Sequence, residues 1–506
     1  MELLITIDIG TTAVRIVAFD FKGEKKAYKK GSYPTFHPQP DFSEQDPEQV
    51  FITVLFILKS LLNELFEDKK NKIKGIVFSS SMHSVLPIDK NGTPLGNALI
   101  WADNRAKKEA EKIKNSALGK IIYEATGTPI HAMSPLAKIA WIRENDAERF
   151  QKTYKFISLK EYVVHQFTNE YIIDYSLASA TGLFNIRTLK WEQNSLDISG
   201  INENYLSETC PIYNSEAKLK PNLAKSLRLS ANTKIILGST DGCMATIGTG
   251  VFAEGQATIS INSSGAVRVF GEEVLNDSNQ RLFNYVLDKN QYISGGPTNN
   301  AGVVLDWFVS QFGSFQHGKD FEETMLNSLN EALHVSPGAE GLIFLPYLLG
   351  ERAPIWNSNA RGAYFGINIK HEPRHFVRAT IEGIIFELFS IGKVIETYRN
   401  INEISLTGTV VTLPFWSNLV ADIFGKKVNM NHSVNSINLG SALVGLTEMG
   451  VYANIEEAVK SIVKPDRIIE PKVHHHELYT KYYRIFSQLT QKFKEEFDLI
   501  AELQAG

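Results

Sequence analysis

Residues 5–20 read Ile-Thr-Ile-Asp-Ile-Gly-Thr-Thr-Ala-Val-Arg-Ile-Val-Ala-Phe-Asp. Two β-branched apolar runs flank a turn made of Gly10, Thr11 and Thr12. The pattern predicts a strand, a tight turn and a returning strand. Gly10 lets the backbone come close to a ligand, and the Thr11 and Thr12 hydroxyls with nearby amides offer donors to an anion. Asp8 places a carboxylate where a nucleotide-bound Mg²⁺ needs an oxygen ligand.

The layout returns at Thr258–Phe270 (Thr-Ile-Ser-Ile-Asn-Ser-Ser-Gly-Ala-Val-Arg-Val-Phe). An ungapped overlay sets Gly10 on Ser263, Thr11 on Ser264, Ala13 on Ala266, Val14 on Val267 and Arg15 on Arg268. Two like hairpins so far apart predict two related domains that face one nucleotide. The plainer reading is a pair of ordinary β-hairpins.

At 506 residues the chain exceeds what one core organises, so two large domains are expected. A net charge of −4 without a long basic run argues against a nucleic-acid partner. No apolar stretch approaches bilayer length, and no basic leader precedes Asp8, so neither membrane nor signal peptide is expected. Cys210 and Cys243 are the only cysteines, too few for a disulfide framework, and a reducing cytoplasm is the expected location.

Strand-like runs alternate with helical patterns, the mark of α/β layering. Asp46-Pro47-Glu48 is a helix start, followed by Val50, Val54, Leu55, Leu58, Leu61, Leu62 and Leu65 at helical spacing. Gly75–Ser79 and Ile235–Gly238 read as buried strands that end in polar loops, where α/β folds place their chemistry. The Gly-rich run Ile247–Gly250 marks a boundary near 243–256, giving domains 1–245 and 246–506. Residues from about Glu477 to Gln504 read as one amphipathic terminal helix.

Asp241 sits in the turn Gly238-Ser239-Thr240-Asp241-Gly242. A carboxylate there suits a general base that takes a proton from a hydroxyl attacking phosphorus. A turn or helix-capping aspartate is the alternative for Asp-Gly. Ser79–Ser84, with Met82 and His83, and Trp101–Arg105, with Asp103 and Arg105, also follow strand-like segments. Together they offer an apolar face and fixed polar groups to a polyhydroxylated ligand. Gly248-Thr249-Gly250 lacks the rest of a dinucleotide fingerprint, and no Walker A sequence exists. His474-His475-His476 is expected in a solvated turn before the last helix rather than on a metal.

These residues resemble the FGGY carbohydrate kinases from Asp8 to about Gly450. Met133–Asn145 matches the first family signature, and Gly362–Ile367 with His375–Gly383 matches the second. Within the family, the segments Met82–Ser84, Trp101–Arg105, Thr126–His131, Leu159–Tyr162, Asp174–Ser179, Gly295–Asn300 and Gly350–Pro354 are similar to the gluconokinase branch. Xylulokinases usually carry Asn after the catalytic Asp, where this chain has Gly242.

The resemblance implies an α/β fold of two ribonuclease-H-like domains, as in actin, hexokinase and the Hsp70 ATPase, flanking an interdomain cleft. It implies ATP and Mg²⁺ as cofactors, a homodimer, and D-gluconate phosphorylated at its terminal hydroxyl. Asp241 would be the base and Asp8 the Mg²⁺ ligand. Thr11, Thr12 and Arg15 would approach the β- and γ-phosphates. Ser263, Ser264 and Gly302 would line phosphates and ribose, and Gly408 and Thr409 the adenosine. Met82, His83, Trp101, Asp103 and Arg105 would contact the sugar, with Arg105 and Lys160 as candidates for its carboxylate.

Two departures stand out. The family's Gly-Thr-Ser second phosphate loop is Asn262-Ser263-Ser264 here. Its Thr-Gly-Gly adenosine motif is Thr407-Gly408-Thr409, followed by Val410–Phe415, so Thr409 adds bulk where adenosine normally meets bare backbone. The alternatives are a kinase for D-xylulose or another polyol, a sugar-binding regulator with impaired catalysis, and a chaperone-like ATPase.

Overall fold

The computed structural model describes residues 1–312, 321–408, 414–430 and 435–505. Thr409, in the altered adenosine motif, lies outside them. The elements used below are, in chain order, β1 (Glu2–Ile9), β2 (Ala13–Asp20), β3 (Lys25–Ser32), α1 (Pro47–Leu65), β4 (Lys72–Ser80), α2 (Pro135–Asn145), α3 (Leu159–Thr168), β5 (Lys234–Thr240) and α4 (Asp241–Gly248). They continue with β6 (Gln256–Ile261), β7 (Gly265–Gly271), α5 (Gly302–Phe312), α6 (Pro373–Glu396), β8 (Glu403–Thr407), β9 (Lys427–Met430), α7 (Ser436–Glu448), β10 (Arg467–Ile469), α8 (Val473–Lys492) and α9 (Lys494–Ala505).

The chain forms two compact units that interleave in sequence. Unit 1 holds Met1–Phe252, Phe270–Ser294 and Ser433–Lys464; unit 2 holds Ala253–Val269, Gly295–His432 and Pro465–Gly506. The cut at 245/246 read from the sequence separates the two hairpins, and compactness returns two later segments to unit 1. The cause for α7 is packing: Leu443 and Leu446 share a buried cluster with Leu4, Val77 and Ile236. Its Asn438 also donates to the Thr6 hydroxyl at 3.0 Å.

Unit 1 is built on a sheet ordered β5-β4-β1-β2-β3, with β1, β2 and β3 antiparallel and β4 and β5 parallel to β1. The Asp46 carboxylate accepts from the Glu48 and Gln49 amides and caps α1, and Pro47 opens it. The apolar stripe of α1 then buries Val50, Val54, Leu58 and Leu61 against Ile5, Ile7 and Ile76. The other face of β1 carries Leu4, Thr6 and Asp8 and is covered by α4 and α7. These two helices touch backbone to backbone: a Cβ on Gly248 would lie 1.8 Å from the Ser436 carbonyl, and one on Gly440 2.0 Å from that of Met244.

Five strands of the second, seven-stranded sheet run β7-β6-β8-β9-β10. The pair β6–β7 is antiparallel, β8 and β9 follow in parallel, and β10 closes antiparallel. A hairpin followed by two parallel strands is the plan of unit 1 as well. The long α6 buries most of its residues, as a helix apolar on nearly every side must. The C-terminal tail is two helices rather than one, interrupted at Phe493. The three histidines belong to α8 and not to a turn before it. The Asp422 side chain accepts from the Lys472 amide at 2.8 Å and meets His475 Nδ1 at 2.7 Å, so a distant carboxylate holds the helix start.

Candidate active site

Strand register lines up a polar row across unit 1. Arg15 stands opposite Asp8, Asp8 beside Ser79, and Ser79 beside Ser239. Directly paired residues point to one face of a sheet, so the four side chains share a face. The last step depends on a bulge. Ile236 pairs with Val77 but Ser239 pairs with Ser79, which leaves one extra residue in β5. Gly238 supplies it at φ +63°, where a Cβ would lie 2.0 Å from the Phe78 carbonyl. Without that residue Ser239 would fall opposite Ser80, on the other face.

Asp241 follows two residues later as the first residue of α4, and its Oδ1 accepts from the Gly242 amide at 2.6 Å. The turn seen in the sequence is therefore the junction between a strand and a helix, and Asp241 is half-buried there. Asp8 is fully buried; its Oδ1 accepts from the Ser79 hydroxyl at 3.3 Å and its Oδ2 lies 3.4 Å from Arg15 Nη1. Burial, reinforced by the charge of Asp241, pushes the Asp8 carboxyl up to about 7 against the pull of Arg15 and Ser79. Two carboxyl groups that feel each other's charge form a place for a cation. Mg²⁺ fits this donor set, since it is commonly held by one or two carboxylates together with water and phosphate oxygens.

The first turn closes with the Gly10 amide on the Ala13 carbonyl at 3.1 Å. Thr11 is tied back by Trp101, whose Nε1 donates to its hydroxyl at 2.9 Å, and by Gln45, which donates to its carbonyl. Thr12 is exposed and Arg15 half-buried. Trp101 thus ties the Trp101–Arg105 segment to the first turn.

His83 is buried with a left-handed backbone (φ 68°); its Nδ1 meets the Ala180 carbonyl at 2.7 Å and its Nε2 the Tyr285 hydroxyl at 3.3 Å. Met82 beside it is partly exposed. Asp103 is fully buried and accepts from the Ser43 amide at 2.8 Å. The Arg105 guanidinium grips Asp103 through Nε and Nη2, reaches Glu44 at 2.5 Å and stacks 3.6 Å over Phe42. Lys160 is buried at 2.7 Å from Asp174 and donates to the Ser239 carbonyl at 3.3 Å. Both cations read as partners for an acceptor carboxylate are therefore neutralised within the fold. Their partners Glu44 and Asp174 carry no local sequence signal that announces the pairing. Lys160 also braces the end of β5 just before Asp241.

Unit 2 gathers its own set. The Asn262 amide donates to Ser264 O at 2.9 Å, and Asn262 O and Ser263 O accept from the Gly302 and Val303 amides at 2.7 and 3.1 Å. The second turn is thereby docked on the start of α5, with Ser263 exposed and Ser264 half-buried. Gly408 has φ +132°, and a Cβ there would lie 2.0 Å from the Ile261 carbonyl. One buried carboxylate orders the approach to α5: Glu351 accepts from the Thr298 hydroxyl at 2.6 Å, the Asn299 amide at 2.9 Å and Asn300 Nδ2 at 2.9 Å. Glu351, Ser79 and Ser239 lie in segments the sequence singles out, but only register and tertiary contact give these particular side chains a place.

The ungapped overlay of the hairpins needs correction. The last pair of the first is Ile9–Val14 and of the second Ile261–Gly265, so the second loop is one residue shorter. Counted from the last pair, Ser260, not Ile261, takes the place of Asp8; Arg15 stands directly opposite Asp8, whereas Arg268 stands opposite Thr258 and donates diagonally to the Ser260 hydroxyl at 3.0 Å.

Models of known families decide the assignment. Residues 3–248 match the FGGY family of carbohydrate kinases, N-terminal domain, and residues 243–449 the C-terminal domain. The chain belongs to the FGGY carbohydrate kinases. It is 34% identical to the gluconokinase of Bacillus subtilis (strain 168) over 99% of this chain and 98% of that one. The crystal structure of gluconate kinase from Lactobacillus acidophilus is similar with a TM-score of 0.92 at 30% identity, covering 99% of each chain. The ligand-bound xylulose kinase from the same organism gives 0.92 at 30% identity over 99% of this chain and 100% of that one. As an FGGY carbohydrate kinase the chain is a phosphotransferase with a sugar-type acceptor and ATP as donor. No helix among the described residues is long and apolar enough to cross a membrane.

Proposed function

We propose that this kinase transfers the γ-phosphoryl group of ATP to the terminal hydroxyl of D-gluconate, giving 6-phospho-D-gluconate and ADP. The observation that carries the mechanism is the convergence of Asp241 and the buried Asp8 at the end of one polar row. Asp241 accepts the acceptor's hydroxyl proton as that oxygen bonds to the γ-phosphorus and the bond to the β-bridging oxygen breaks. Asp8, with the charge of Asp241 nearby, would hold Mg²⁺, which would supply charge neutralisation on the phosphates. Thr11, Thr12 and Arg15 approach the β- and γ-phosphates. Ser263, Ser264, Gly302 and Gly408 hold the nucleotide. Met82, His83, Trp101 and Asp103 shape the acceptor site, which Arg105 supports by fixing Asp103.

Support for gluconate comes from the full-length relative of that name and from Gly242, which adds no side chain beside the base. A second reading, D-xylulose, is favoured by the equally similar xylulose kinase structure. We place the working form as a cytoplasmic homodimer by analogy with relatives, which light scattering checks. Coupled ADP detection with Mg-ATP across gluconate, xylulose, ribulose and glycerol decides the acceptor. Gluconate is expected to give the highest kcat/KM, and a higher value for xylulose would overturn the assignment.

A further inference from the structure

Lys138 lies on α2 within the first signature segment, and its side chain has no exposure at all. A buried ammonium is costly unless its three N–H groups find partners. Here Nζ donates to three main-chain carbonyls: Ile100 at 2.6 Å, Met133 at 2.8 Å and His83 at 3.0 Å. These carbonyls come from three separate segments. His83 is the left-handed residue of the Met82–Ser84 turn, and Ile100 opens the turn that carries Trp101, Asp103 and Arg105. The Ile100 carbonyl also accepts from the Asp103 amide at 3.0 Å, so one oxygen closes that turn and anchors it to Lys138.

Burial pulls the lysine down to about 7, while the nearby Asp103 carboxylate holds it up. Only the protonated amine has a donor for each of the three oxygens; the neutral amine has two. A core with no positional task would be served as well by an apolar side chain of similar volume. We propose that Lys138 is a positioning residue for the acceptor: its ammonium ties the His83 turn to the Trp101–Arg105 turn and sets the spacing of the sugar-binding groups. This rests on the reading of Met82, His83, Trp101 and Asp103 as acceptor-facing.

The test is steady-state kinetics of the full chain with Lys138→Met and Lys138→Gln, using whichever of D-gluconate and D-xylulose the wild type turns over. The acceptor KM is expected to rise about tenfold to a hundredfold, as displaced contacts do. The KM for ATP is expected to stay within about twofold, because Lys138 touches neither hairpin turn. Trp101→Phe and Met82→Ala serve as controls. If the controls leave the acceptor KM unchanged, the acceptor-site reading falls and the proposal with it. If the controls raise it and both Lys138 variants fold without raising it, the positioning role alone is overturned. An equal loss in both KM values, or failure of both variants to fold, assigns Lys138 to the core and likewise overturns it.

Discussion

The two hairpins of this kinase share a backbone plan and differ in the chemistry mounted on it. Each is an antiparallel pair followed by parallel strands, and in each an arginine reaches across to the residue one step before the last pair. In β1–β2 that residue is Asp8, buried beside Ser79. In β6–β7 it is Ser260, beside Thr407. The first hairpin ends in a four-residue loop next to a second carboxylate. The second ends in a three-residue loop docked on the start of α5. A carboxylate with a neighbouring acid suits a cation, whereas a hydroxyl beside an arginine suits an anion. Repetition of a fold element thus sets where a ligand is approached, and single substitutions at equivalent positions set the sign of charge it presents.

The largest effect should come from the acid that only unit 1 possesses. Asp241→Asn is expected to fold and to lower kcat by about 10²- to 10⁴-fold, the usual contribution of a general base. Coupled ADP release reads it, and turnover within a few fold of wild type would end the base assignment.

Asp8 separates the hairpins next. Its folded value of about 7 stands above the ordinary 3.8, so its favourable contribution is complete below about pH 4 and fades as pH rises through 7. Without Mg²⁺, urea unfolding of wild type against Asp8→Asn should show a difference that shifts in favour of the variant by on the order of 4 kcal/mol between pH 4 and pH 8. Added Mg²⁺ should stabilise wild type at pH 8 and leave the variant unchanged.

Grafting the acid onto the second hairpin should fail in an informative way. Ser260→Asp puts a carboxylate where phosphate oxygens are expected, so the KM for ATP should rise at least about tenfold while Ser260→Ala changes it little. An unchanged KM in the aspartate variant would remove the nucleotide from that turn. The smallest contrast concerns the glycines. Gly408→Ala, with its positive φ and a contact of 2.0 Å to Ile261 O, should cost about 2 to 4 kcal/mol. Gly10→Ala meets only the movable Arg15 guanidinium and the Ala13 carbonyl, at 3.0 and 3.1 Å, and should cost about 1 kcal/mol. Thermal unfolding of the two variants checks the order.

Much of this site was legible because its signals are local. Both hairpins, the capped start of α1, the buried strands at Gly75–Ser79 and Ile235–Gly238 (which the structure extends to Ser80 and Thr240), and the family signatures are read from neighbouring residues. What escaped was the state of the charges. Arg105 and Lys160 look like open cations in the sequence, yet Glu44 and Asp174 neutralise them across distances along the chain that no periodicity reports. Lys138 lies in the first signature, and nothing local in the sequence announces the three-way tie it makes. The histidine run looks like a turn and lies in the first turn of α8, where Asp422 meets the Lys472 amide and His475.

The sequence by itself determined the elements, their order and the residue types brought to each turn, since backbone preference and hydrophobic periodicity act over a few residues. Only the tertiary structure decided which of those residues share a face and which charges are spent. The bulge at Gly238 shows why: one inserted residue moves Ser239 to the Asp8 side, and strand register is a property of two chain segments together.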